Sequence, residues 1–101
     1  MALFFRAKDE LEALAIANDS PFGLGGSICT SDPDRARRLA SKLQSGMVFL
    51  NFSALTTPEL PFGGVKRSGF GRELSSFGIE EFANKKMVCI VDPAKVTHLV
   101  S

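Results

Sequence analysis

Apolar and polar positions alternate between two periods along this chain. The run Ala2–Arg6, "ALFFR", is mostly apolar and predicts a short buried strand. Asp9 follows as a helix N-cap, and Glu12 stands three residues on, where a capping box needs it. Leu11, Leu14 and Ala15 then share one face of a helix that Asn18 and Pro21 bring to an end. "GSICTS", Gly26–Ser31, predicts a second strand. Asp32 followed by Pro33 is a helix start, because proline has no N–H to waste at the first helical position. Ala36, Leu39, Ala40 and Leu43 recur at helical spacing, with Arg35, Arg37, Arg38 and Lys42 on the solvated side. Gly46 closes this helix, and "MVFLN", Met47–Asn51, predicts a third strand. Strand, helix, strand, helix, strand with short connections predicts an α/β fold: a partial parallel open sheet joined by right-handed crossover helices.

Beyond the third strand the pattern loosens. The stretch Phe52–Arg72 shows no element of its own, and long ordered loops of this kind are commonly functional. It leaves the C-terminal end of a parallel strand, where open α/β sheets bind ligands, and so predicts a site wall. A helix is expected over Leu74–Lys85, anchored by Leu74, Phe77 and Phe82, with Gly78 as its weak point. A continuously apolar strand is expected over Lys86–Val91, ahead of a tail. That strand must pair within its own sheet or with another chain.

The glycine-rich run "ELPFGGVKRSGFGRE" invites comparison with phosphate-binding loops. Gly64 and Gly69 have the spacing of a P-loop, but Phe70 stands where its lysine belongs. Gly69 and Gly71 make a G-x-G, yet Leu74 fills the position of the third Rossmann glycine. The glycines are therefore expected to serve tight turning and close packing, with Lys66, Arg67 and Arg72 solvated.

Composition narrows the function class. A chain of 101 residues with a formal net charge of +1 and no basic block points to neither nucleic acid nor a membrane surface. The N-terminus has no basic region ahead of its apolar residues, and a soluble, cytoplasmic protein is expected. Cys29 and Cys89, each flanked by apolar residues, are expected as small buried hydrophobes within strands. With His98 as the single histidine there is no local zinc set, and neither cysteine has a neighbouring base to activate it as a nucleophile.

Four segments in order, "NDSPFGLGGSICTSD", "SGMVFLN", "LPFGGVKRSGFGRE" and "FGIEEFANKK", resemble the C-terminal segment of NAD(P)-dependent aldehyde dehydrogenases, nearest to the succinate-semialdehyde type. The resemblance implies that residues 1–85 form the C-terminal part of the catalytic domain. It implies an oligomerisation strand at 86–91 and a tail at 92–101. It also implies that the thiolate that attacks the aldehyde, the glutamate base and the domain that binds NAD or NADP lie upstream of the matched segment. Cys29 and Cys89 do not align with the nucleophile, so no catalytic, cofactor-binding or metal residue is implied here, and no cofactor is expected on this chain alone. Phe62 matches an aromatic beside the thiol. Asn51, Leu55, Thr56 and Thr57 fall in a loop at the mouth of the substrate tunnel. Thr56 first, and Thr57 second, is implied as a hydroxyl donor to the far carboxylate of the substrate. The partners implied are an aldehyde, and either self-association or a full-length dehydrogenase subunit. The alternative is an autonomous α/β assembly or regulatory module without activity.

Overall fold

The computed structural model describes residues 1–92; the remainder of the expected tail, 93–101 with His98, lies outside the described residues. The elements run α1 (Glu10–Asn18), β1 (Phe22–Gly23), β2 (Gly25–Ile28), α2 (Pro33–Ala40), β3 (Met47–Leu50), β4 (Val65–Lys66) and α3 (Ser75–Glu80). β2 and β3 pair in parallel with Gly25 opposite Met47 and Ile28 opposite Leu50, and α2 makes the crossover between them. This is the predicted α/β unit. β1 and β4 form a second, antiparallel ribbon, Phe22 opposite Lys66 and Gly23 opposite Val65.

Local chemistry sets the starts of α1 and α2. Asp9 is the N-cap of α1, and its carboxylate accepts from Glu12 N at 2.9 Å. The Glu12 side chain reaches back to Lys8 N at 2.6 Å, one residue beyond the usual capping-box partner. At α2, Asp32 Oδ1 accepts from Asp34 N and Arg35 N, both at 3.0 Å, with Pro33 at the start. The bond from Arg35 N, with that from Asp34 N, holds the Asp32 carboxyl below its usual range. α1 ends without a left-handed residue. The Asn18 amide instead spans to the turn after α2, donating to Lys42 O at 3.0 Å and accepting from Gln44 N at 2.8 Å.

The start of α1 is tied to the side of α2. Glu10 accepts from Arg35 Nε and from Arg38 Nη2, the latter at 3.4 Å, and Arg37 Nη1 pairs with Asp34 at 3.2 Å, so three of the cations expected to be only solvated form ion pairs.

Packing is sparse. Ala36, 2% exposed, is the only buried apolar residue beyond glycine among the described residues. α2 stops at Ala40, so Leu43 of the expected stripe lies in the turn beyond it. α1 buries nothing, Leu11 and Ala15 of its expected face are exposed, and an open cleft of about 850 Å³ lies between α1, β2 and α2.

Several expectations are corrected for the same reason. Ala2–Arg6 forms no strand, and Phe4 is 91% exposed. Lys86–Val91 likewise forms no strand, and Ile90 is 91% exposed. An apolar run becomes a strand only where a neighbouring edge takes its N–H and C=O groups, and among the described residues neither run has one. The helix expected to reach Lys85 ends at Glu80, with Phe82 95% exposed. Cys29 and Cys89 are exposed free thiols, Cys29 one residue past β2 and Cys89 outside any element. The Phe52–Arg72 stretch does hold structure, namely β4 and a bridge that pairs Phe62 with Glu73.

The Glu10 contact has a pH signature. Hydrogen bonding from Arg35, aided by Arg38, lowers the carboxyl from an ordinary value of 4.5. Because the folded value lies below the unfolded one, the contact contributes fully above about 4.5 and is lost as pH falls through the lowered value. Glu10→Gln should therefore weaken amide-exchange protection in α1 and α2 at neutral pH. The difference from the native chain should vanish in acid; one that persisted there would contradict the assignment.

Candidate functional site

Strand periodicity gives the β2–β3 sheet two faces. A Cβ on Gly26 would strike Leu43 Cδ2 at 2.6 Å, so the Gly26 face looks toward the α2 side. A Cβ on Gly25 would meet Met47 Cε at 3.7 Å and Phe49 Cε2 at 3.9 Å, so Gly25, Met47 and Phe49 share the opposite face. The small residues Gly25 and Ser27 leave a trough on that side.

A cavity of about 470 Å³ occupies this trough. Its floor is Leu24, Gly25, Gly26, Ser27, Met47 and Phe49; Ser53, Ala54, Leu55 and Thr56 cover it, and Phe62 closes one side. The larger cleft beneath α1 lies where a β–α–β unit places its packing core, and it reads as unfilled core rather than as a ligand site.

Of the predicted site residues, Phe62, Leu55 and Thr56 come together at this cavity, while Thr57 and Asn51 do not line it. Phe62 is half-buried and held by paired main-chain bonds, Phe62 N to Glu73 O and Glu73 N to Phe62 O, both 2.8 Å. Thr57 is half-buried beside the cover, its carbonyl accepting from Leu60 N at 3.3 Å. The floor residues were not singled out in the sequence. Their alternation in "GGSI" and "MVFL" was visible there, but which face the loop covers follows only from the pairing register.

The lining sets what the cavity can do. It contains no carboxylate, amine, guanidinium, imidazole or thiol, so it can shape and hydrogen-bond a ligand but cannot move a proton through a titrating side chain. Hydroxyls come from Ser27, Ser53 and Thr56, and Ser27 Oγ already donates to Phe52 O.

The glycine-rich run beside the cavity does not fit a phosphate-bearing cofactor, because its cations are committed within the chain. Lys66 Nζ donates to Asn18 O at 2.7 Å and Ser20 O at 3.0 Å, capping the C-terminal end of α1. Arg67 lies over the Phe22 ring, 5.9 Å from its centroid. Arg72 Nη1 donates to Gly64 O at 2.9 Å and Gly71 O at 2.7 Å. The expectation that these three are merely solvated is corrected: distant carbonyls take up Lys66, a distant ring takes up Arg67, and carbonyls across the turn take up Arg72. Close packing of the glycines holds in part. A Cβ on Gly46 would collide with Gly63 O, and one on Gly63 would come within 2.6 Å of Gly71 O. Gly69 has nothing within 4 Å and is required instead by its φ of 102°.

The profile of the aldehyde dehydrogenase family matches residues 1–88. A succinate-semialdehyde dehydrogenase (NADP(+)) of Deinococcus radiodurans is 56% identical over 88 residues, 87% of this chain and 18% of the relative. A probable succinate-semialdehyde dehydrogenase (NADP(+)) of Synechocystis sp. is 49% identical over 90 residues, 89% of this chain and 20% of the relative. Among solved structures, succinic semialdehyde dehydrogenase from Streptococcus pyogenes in complex with NADP+ aligns with a TM-score of 0.81 at 45% identity, covering 85% of this chain and 19% of that one. The chain spans about a fifth of the length of the curated relatives it matches. Sequence motifs, backbone course and matched length agree, and the chain belongs to the aldehyde dehydrogenase family.

Proposed function

We propose that residues 1–85 form the substrate-facing wall of an NADP+-dependent dehydrogenase that oxidises succinate semialdehyde, and that 86–91 serve as an oligomer strand. The observation that carries the reading is the convergence of Phe62, Leu55 and Thr56 on one cavity without titratable groups. In this role Phe62 and Leu55 shape an apolar passage for the aldehyde's methylenes. The Thr56 hydroxyl donates to its distal carboxylate, a charge-assisted bond, and Thr57 stands behind it as the second choice. The thiol, the base and the dinucleotide site are assigned to parts of the parent fold beyond these residues. NADP+ is chosen over NAD+ on the relatives' names. An autonomous module is the weaker reading, because it would need a core of its own and, glycines aside, only Ala36 is buried among the described residues.

On this reading the purified chain, given succinate semialdehyde with NADP+ or NAD+, shows no rise at the reduced-nicotinamide absorbance band. Turnover that disappears when Cys29 and Cys89 are both replaced by alanine would overturn it.

A chimera tests the positive half. With residues 1–88 replacing the matched stretch of the Deinococcus radiodurans relative, NADP+-dependent oxidation of succinate semialdehyde should be retained. Thr56→Ala in that chimera should raise KM for succinate semialdehyde by roughly 10- to 100-fold, the worth of one hydrogen bond to a charge. KM for butanal, which has no distal carboxylate, should stay put; an equal rise for both would remove Thr56 from carboxylate recognition.

The proposed partner of the isolated chain is another copy of itself, through the exposed apolar runs at 2–6 and 86–91. Sedimentation should show mass rising with concentration, whereas a monodisperse monomer at all concentrations would refute self-association.

A further inference from the structure

We propose that Asn51 is a positioning residue that holds the loop Ser53–Thr56 over the cavity without lining it; the inference rests on the reading of that cavity as the aldehyde's site. β3 ends at Leu50, and Asn51 adopts φ 57°, the left-handed region that asparagine tolerates better than other residues with a Cβ. Its main-chain N–H donates to Ile28 O at 2.8 Å, extending the β2–β3 ladder by one bond.

Both ends of its side-chain amide are spent on a single residue at the exit of β2. Nδ2 donates to Thr30 O at 2.9 Å, and Oδ1 accepts from Thr30 N at 2.8 Å. One residue later, Phe52 O accepts from Ser27 Oγ. Two consecutive residues thus carry four tethers to β2 and its exit.

The loop itself has none. Among the described residues Ser53, Ala54, Leu55 and Thr56 make no hydrogen bond of their own, and the next main-chain bond along the chain is Leu60 N to Thr57 O. The placement of Leu55 and Thr56 is therefore set by the direction in which the chain leaves Asn51 and Phe52, and by its re-anchoring near Thr57. Asn51 is absent from the cavity lining and acts through the residues it launches. An exposed asparagine in a site loop would otherwise pass for a ligand contact.

Three substitutions separate its contributions. Asn51→Gly keeps the left-handed backbone and removes the amide. Asn51→Asp keeps an acceptor for Thr30 N but sets a carboxylate against Thr30 O. Asn51→Ala removes the amide and strains the backbone as well. In the 101-residue chain, hydrogen–deuterium exchange of the main-chain amide at position 51, which donates to Ile28 O, should speed up by about tenfold in the aspartate and alanine variants, and less in the glycine variant.

In the dehydrogenase chimera the same two variants should raise KM for succinate semialdehyde by about tenfold, more than they lower kcat, with KM for NADP+ unmoved. Unchanged exchange of the amide at position 51 overturns the proposal. So does an active chimera in which Asn51→Ala lowers Tm alone. A chimera inactive with the native Asn51 would instead sink the dehydrogenase reading, and the exchange measurement on the chain would then decide the tethering by itself.

Discussion

The four-residue parallel ladder between β2 and β3 is the constraint on which the other features rest. It places Gly26 and its neighbours against the side of α2, where Ala36 is buried. By the same period of two, it turns Gly25, Ser27, Met47 and Phe49 toward the cavity. A slip of one residue would exchange the faces, putting Gly26 and Val48 under the loop and Met47 against α2. Register is held at both ends: Gly46 N and Met47 N bond Gly23 O and Leu24 O at the entry, and Asn51 bonds Ile28 and Thr30 at the exit. Entry also depends on Gly46 having no side chain, since the backbone of Gly63 passes directly beside it.

Around this ladder, polar side chains set the backbone course while apolar packing is left incomplete. Asn18, Asn51, Lys66 and Arg72 each reach main-chain carbonyls far from themselves or across a tight turn. Each such bond contributes about 1 kcal/mol net, whereas burying one Leu or Phe side chain is worth about 1.5–3 kcal/mol. With Phe4, Phe82 and Ile90 almost fully exposed, the larger stabilisation is still uncollected. The loops have their shapes, and their stability awaits the surfaces that cover them. This balance matches a chain that spans about a fifth of its relatives' length.

The same balance separates what could be read in advance from what could not. Asp9 and Asp32 cap their helices because the interaction spans two or three residues, and such short-range chemistry is complete in the sequence. The βαβ order around α2 was legible because connection lengths leave few topologies open. The runs 2–6 and 86–91 carry equally strong apolar signals and form no strands. Periodicity reports a readiness to be covered, while pairing requires an edge supplied from elsewhere. For the cysteines, apolar flanks implied burial, and the same missing cover leaves both exposed.

By itself, then, the sequence determined the starts of α1 and α2, the parallel unit and the family motifs, because each depends on residue type at short range or on a recurrent string. The tertiary structure decided the rest: that Phe62, Leu55 and Thr56 meet at one cavity, that Ser27, Met47 and Phe49 form its floor, and that Asn51 bonds Thr30 and stands outside the cavity lining. It also decided that Lys66 and Arg72 serve carbonyls instead of an anion. The physical reason is distance along the chain. Asn51 finds Thr30 21 residues away and Lys66 finds Asn18 48 residues away, and no local pattern records which acceptors folding will bring within reach.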